Sequence, residues 1–63
     1  AYYWRGNVYQ YYKRDYSKAI TDYTSAIEMY PNVEYAHRSR GECYEAIGEK
    51  KKAQQDFAIE PKR

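Results

Sequence analysis

The sequence predicts an all-α fold of helical hairpins, and three observations lead to it. Similar residues recur about 34 positions apart, as Ala19 and Ala53 do, and as Tyr23 and Phe57 do. Between them, aromatic and apolar residues follow the three-to-four spacing of amphipathic helices. Polar or Gly- and Pro-containing breaks separate these stretches. A period of this length is typical of stacked hairpins rather than of a globule around one active site.

The first hairpin is predicted from residues 1 to about 30. Its first helix spans about 1–12 and ends at the polar break of residues 13–15. Its second helix spans about 16–30, where Pro31 stops it because proline cannot continue a helix. Helices joined by so short a turn pack antiparallel.

The second hairpin is predicted from the next two helices. The third spans about 33–47 and has Asn32 as its predicted N-cap, since an asparagine oxygen can accept a first-turn amide. Gly48 is expected in the left-handed conformation at its end. The fourth helix spans about 49–59. The whole is therefore about four antiparallel helices of an α-solenoid fragment.

Length and composition disfavour an enzyme and most cofactor sites. A chain of 63 residues buries only roughly 60% of its unfolded surface, which leaves few residues for a catalytic pocket. The net charge of +2 is spread along the chain, so nucleic acid is not indicated. Cys43 and His37 are the single cysteine and histidine. We therefore predict no catalytic residue, no metal and no cofactor, and assign both side chains to packing.

The sequence also gives an expectation of the compartment and of the context of the chain. A lone cysteine suits a reducing compartment, so we expect an intracellular, cytoplasmic location. No stretch approaches the roughly 20 apolar residues of a membrane span, so no membrane partner is expected. Because the sequence opens within a helix at Ala1 without an initiator Met, we expect it to be an excised piece.

The recurring residues resemble the tetratricopeptide repeat. That pattern has an aromatic, two residues, an apolar residue and Gly, then Tyr, Ala, an aromatic and Pro. In the first repeat these places are held by Tyr2, Arg5, Gly6, Tyr9, Ala19, Tyr23 and Pro31. In the second they are held by His37, Arg40, Gly41, Tyr44, Ala53, Phe57 and Pro61. The chain is thus identified as one tetratricopeptide-like unit over 1–63, with repeats of about 1–32 and 33–63.

Two departures from the period concern length. The first repeat has one residue more between its Gly and its Ala, inserted near residues 10–14. Either a longer turn or a local helix bulge would accommodate it, because an extra residue inside an α-helix would rotate all later side chains by about 100°. The second repeat is shorter between its Ala and its Pro, so the last helix is predicted to be short.

A third departure is an arginine at the apolar position of both repeats. Each repeat also has an aspartate one residue before the aromatic of its second helix. We predict the ion pairs Arg5 with Asp22 and Arg40 with Asp56, each joining the two helices of a hairpin.

The resemblance implies a protein-interaction module, part of a scaffold or adaptor. Repeats of this family typically bind an extended peptide or a helix of a partner in the groove lined by their first helices. By repeat position, the predicted groove residues are Tyr3, Trp4, Asn7, Tyr11 (or its neighbour Gln10), Tyr35, Arg38, Ser39, Glu42 and Glu45. Tyr3 and Trp4 have an alternative role in packing against a preceding repeat.

Two other functions stay open from the sequence. One is a purely structural segment that self-associates through exposed apolar repeat ends. The other is RNA binding, with bases stacked on some of the ten tyrosines. Glu42 and Glu45 disfavour RNA, because they would place acids on the binding face.

Overall fold

The computed structural model describes residues 2–60, and the regular structure of this part is entirely helical. An all-α fold is therefore confirmed. Its elements are α1 (Tyr2–Asn7), a π-helical segment (Val8–Lys13), α2 (Tyr16–Met29), α3 (Ala36–Ala46) and α4 (Lys50–Ile59). Each α-helix packs mainly on its neighbours in the chain, as expected of hairpins that stack. The helix start predicted at Ala1 and the repeat end predicted at Pro61 lie outside the described residues.

The residue inserted into the first repeat forms a bulge at the end of the first helix. The predicted first helix over about 1–12 is present, and its second half, Val8–Lys13, is π-helical, which is the local helix bulge that the sequence left open. Arg14 comes next in the left-handed conformation, and its amide donates to the carbonyl of Tyr9. The Asp15 amide donates to that same carbonyl at 2.8 Å. One wide turn thus absorbs the extra residue, and α2 starts in its predicted place at Tyr16.

The start of α3 differs from the sequence prediction. Asn32 is not the N-cap, because it lies in an exposed turn and the helix begins at Ala36. Instead, the Glu60 carboxylate accepts hydrogen bonds from the backbone amides of Tyr35 and Arg38. A carboxylate at this end of a helix satisfies first-turn amides and complements the helix dipole. The last described residue therefore caps the first helix of its own hairpin.

Both hairpins cross at a glycine that lies against an aromatic ring. A Cβ atom on Gly6 would come 2.7 Å from Cε1 of Tyr23, and one on Gly41 would come 2.8 Å from Cε1 of Phe57. Such distances exclude any larger residue unless the ring moves. Each glycine thus lets the two helices of its hairpin approach closely.

The predictions for the second hairpin's turn and length also hold. α4 has ten residues against fourteen in α2, so the last helix is short. Gly48 has a φ of 86°, a left-handed conformation that glycine adopts without a steric penalty.

The two predicted ion pairs are present and have the same geometry. In each, the arginine donates through Nε and Nη2 to both oxygens of the aspartate. The Arg5–Asp22 distances are 2.9 and 2.9 Å, and the Arg40–Asp56 distances are 2.9 and 2.7 Å. These hydrogen bonds raise the pKa of both guanidinium groups above its ordinary value. Each pair joins the two helices of one hairpin.

The pairs differ in their surroundings. The Arg5 side chain is 57% exposed, whereas that of Arg40 is 18% exposed. Arg40 also donates to the Thr24 hydroxyl at 3.1 Å, and His37 Nδ1 lies 3.3 Å from the Asp56 carboxylate. The second pair therefore joins α2, α3 and α4. It also gives His37 the packed, hydrogen-bonded role predicted for it.

Replacing each aspartate in turn will show how much each ion pair contributes to the free energy of unfolding. D56N leaves the Arg40 charge without its partner in a mostly buried place, so we expect the free energy of unfolding to fall by about 2–3 kcal/mol, somewhat below the cost for a fully buried pair. D22N is the matched control, and its effect will be smaller because water solvates Arg5. Urea denaturation followed by circular dichroism measures both. Equal losses in the two variants would contradict this account.

Candidate functional site

Four predicted groove residues from the two hairpins share one surface, called here the groove face: Tyr3, Tyr11, Arg38 and Glu42. Tyr11 gives the evidence. Burial raises the pKa of its phenol, the Glu42 carboxylate and Tyr3 raise it further, and Arg38 opposes them. The geometry beside Tyr11 agrees, because the amide of its neighbour Gln10 donates to Glu42 of the other hairpin at 3.1 Å. Tyr11 is nevertheless 60% exposed, which leaves its ring available to a ligand.

A chain of hydrogen bonds runs from the core to this face. The Tyr23 hydroxyl lies 2.7 Å from Gln10 Oε1 and 2.8 Å from Asn7 Oδ1. A phenol has one proton to donate. Because the Gln10 amide nitrogen donates to Glu42 at 3.1 Å, its oxygen is left to face Tyr23. The Glu42 carboxylate is thus held through a buried amide.

Two predicted groove residues have their polar groups engaged with Tyr23. Asn7 lies within hydrogen-bond distance of its hydroxyl, and Ser39 forms a side-chain hydrogen bond to it. Ser39 is only 5% exposed. The structure therefore places Asn7 and Ser39 beneath the groove face, where they support Tyr23.

Trp4 lies at a different recess from the groove face. It is 69% exposed and lines an open recess with Tyr2, Arg5 and Val8. Trp4 and Val8 precede Ser39 and Cys43 by 35 residues, and both of those counterparts are buried. The surface around Trp4 therefore corresponds to a surface that α3 buries within this chain. We call it the Trp4 face, with Tyr2, Trp4 and Val8 as its members.

The remaining predicted groove residues lie on or just before α3. The Arg38 guanidinium stacks over the Tyr35 ring, 4.5 Å from its centroid, in the geometry of a cation–π contact. Tyr35 has a φ of 69° and is 38% exposed. Glu45 is exposed and lies about one turn of the helix beyond Glu42.

Cys43 is a packing residue, as predicted. It is fully buried beside Tyr23 and Ala19, and burial raises the pKa of its thiol to about 12. A thiol with so high a pKa is not a nucleophile at neutral pH. Among residues 2–60, no three His, Cys, Asp or Glu residues are grouped as metal ligands would be. No helix of this part has the length and apolar character needed to cross a membrane.

The first hairpin, with its Gly6–Tyr23 crossing and Arg5–Asp22 pair, is the part of the chain that a family model recognises. The model described as Tetratricopeptide repeat matches residues 1–32. The chain belongs to the tetratricopeptide repeat family. Comparison with curated proteins and with solved structures finds no match. Repeats of this family are typically protein-interaction modules and not enzymes.

Sequence reasoning missed Tyr23 as the support of the site and left Gln10 as an alternative to Tyr11. One signal was present. Tyr23 lies 34 residues before Phe57, at the corresponding position of the first hairpin, and a hydroxyl at a buried position requires partners. No local sequence signal indicated that Glu60 caps α3, because Glu60 and Tyr35 are 25 residues apart in the chain.

The buried hydroxyl and thiol predict a loss of stability in alkali. The pKa of Cys43 rises from 9.0 to about 12 on folding, and that of Tyr23 also rises from 10.0. The folded state thus holds both protons more tightly. Their contribution to stability is complete below about pH 9 and is lost as the pH rises toward 12, at up to about 1.4 kcal/mol per pH unit for each group.

Urea denaturation at a series of pH values from 8 upward measures this loss. Y23F and C43A should each flatten the alkaline slope, whatever they cost at pH 8. Phe57 packs on Gly41 of the second hairpin as Tyr23 packs on Gly6, so a phenylalanine fits such a crossing and Y23F removes only the hydroxyl. Parallel slopes in wild type and both variants would contradict the assignment.

Proposed function

We propose that the groove face binds an extended peptide or a helix of a partner protein. In this proposal residues 33–63 are a second repeat, which supplies Arg38 and Glu42 opposite Tyr3 and Tyr11. The observation that supports it is the exposed Tyr11 ring next to Gln10, whose amide is hydrogen-bonded to the Glu42 carboxylate of the other hairpin. An aromatic side chain with such neighbours offers apolar area, a cation–π surface and charged hydrogen-bonding groups to one ligand.

The support beneath the face favours binding as well. Tyr23 is fully buried and Gln10 is 7% exposed, and Tyr3 packs on Tyr23 with ring centroids 5.7 Å apart. Side chains held from below lose less conformational freedom when a ligand arrives. The outer predicted residues Tyr35 and Glu45 extend the proposed groove along the start and the end of α3.

A phage-displayed library of random peptides, selected on the 63-residue chain, tests this function. Y11A should weaken the selected peptides by about tenfold, since truncating an aromatic anchor typically costs 1–2 kcal/mol or more. The matched control is Y12A, the next residue, which is 82% exposed. Affinities from fluorescence anisotropy give the comparison. If no peptide is selected, or if Y11A and Y12A behave alike, the groove face is not the binding site.

A second candidate function is self-association through the Trp4 face. Its support is the correspondence of Trp4 and Val8 with Ser39 and Cys43, which are buried in this chain. Large apolar side chains left exposed at such a place favour association.

Sedimentation velocity over a range of concentrations tests this second candidate. Wild type should form larger species as the concentration rises, and W4S should reduce them because it restores the small polar residue found at the corresponding Ser39. Y12A again serves as the control for a lost aromatic. A wild-type monomer at every concentration would exclude self-association.

A further inference from the structure

The Glu42 carboxylate is held by a hydrogen bond from a buried side chain of the first hairpin. Its Oε1 accepts a hydrogen bond from the amide of Gln10 at 3.1 Å, and Gln10 is in turn fixed by the fully buried Tyr23. The carboxylate is therefore oriented before a ligand arrives, and orientation in advance favours selective binding.

None of the ion pairs between described residues neutralises the charge of Glu42. The ion pairs among residues 2–60 use Asp15, Asp22, Glu49 and Asp56 as acids. Arg38, about one turn before Glu42 on α3, stacks on Tyr35, and Arg40 pairs with Asp56. Glu42 thus presents an oriented negative charge on the groove face, beside the phenol of Tyr11.

A cationic side chain complements this arrangement in two ways. An ammonium or guanidinium group can donate to the carboxylate in a charge-assisted hydrogen bond. Its alkyl stem and its charge can also contact the tyrosine rings, whose faces attract cations. An acidic ligand side chain at this place would meet the Glu42 charge instead.

We infer that the groove face selects partner segments that present a lysine or arginine side chain to Glu42, with Tyr3 and Tyr11 as aromatic neighbours. The inference rests on the proposed peptide-binding function. It specifies that the ligand carries a positive charge and that Glu42 recognises this charge.

The peptides selected from the random library test the inference. Their aligned core should be enriched in Lys or Arg relative to the unselected library. E42Q should weaken them by roughly tenfold or more, as expected for a lost charge-assisted hydrogen bond. The control E28Q removes the same charge from an exposed position of α2, outside the predicted groove, and should leave affinity within about twofold. A selected peptide with its basic residue changed to Gln should bind wild type as weakly as the parent peptide binds E42Q.

The outcomes separate this inference from the proposed function. Peptides that depend on Tyr11 but show no basic residue, or that E42Q and E28Q weaken equally, would overturn the inference and leave peptide binding at the groove face standing. Failure to select any peptide dependent on Tyr11 would overturn both. The peptide-side substitution uses the wild-type chain, so the inference can be judged even if E42Q disturbs the fold.

Discussion

The seating of Tyr23 on Gly6 is the contact on which both the fold and the candidate site depend. The ring lies so close to the glycine that a Cβ atom there would be 2.7 Å away, which sets the approach of α1 to α2. The hydroxyl of the same side chain reaches Asn7 and Gln10. The Tyr23 side chain therefore determines both how α1 packs on α2 and how the groove face is oriented. Any movement of this ring would change the separation of the helices and the position of Gln10 together.

The second hairpin repeats the packing but achieves its polar connections by other means. Phe57 lies on Gly41 as Tyr23 lies on Gly6, yet it has no hydroxyl. The polar contacts gather instead at Asp56, which receives hydrogen bonds from Arg40 and lies beside His37. Arg40 extends them to Thr24 of α2. The joint between the hairpins is thus stabilised at one place by the hydrogen bond from Gln10, part of the network around Tyr23, to Glu42. At another place it is stabilised by the hydrogen bond from Arg40 to Thr24.

Much of this architecture could be predicted from the sequence because it depends on periodic, local properties. The glycine and aromatic positions, both ion pairs and the left-handed Gly48 all come from residues that recur at the repeat interval or from local turn chemistry. The features that could not be predicted depend on contacts between distant residues. The Glu60 carboxylate, and not Asn32, accepts the amide hydrogen bonds at the start of α3. This could not be predicted, because no local pattern shows which of two acceptors the fold will bring to the end of a helix. The inward roles of Asn7 and Ser39, which the sequence assigned to the groove, required knowledge of where the Tyr23 hydroxyl points.

The one-residue insertion connects the irregularity of the repeat with the candidate site. Gln10 is buried, whereas Glu45, which lies 35 residues later in the regular α3, is exposed. The π-helical turn over Val8–Lys13 changes the direction of side chains within it relative to an α-helix. Gln10 can then reach both Tyr23 and Glu42, and its neighbour Tyr11 comes to the surface. A strictly regular first repeat would give this position the environment of Glu45, at the surface, and Glu42 would lose the amide that orients it. The departure from the period is therefore what distinguishes the groove face of this chain from two copies of one repeat.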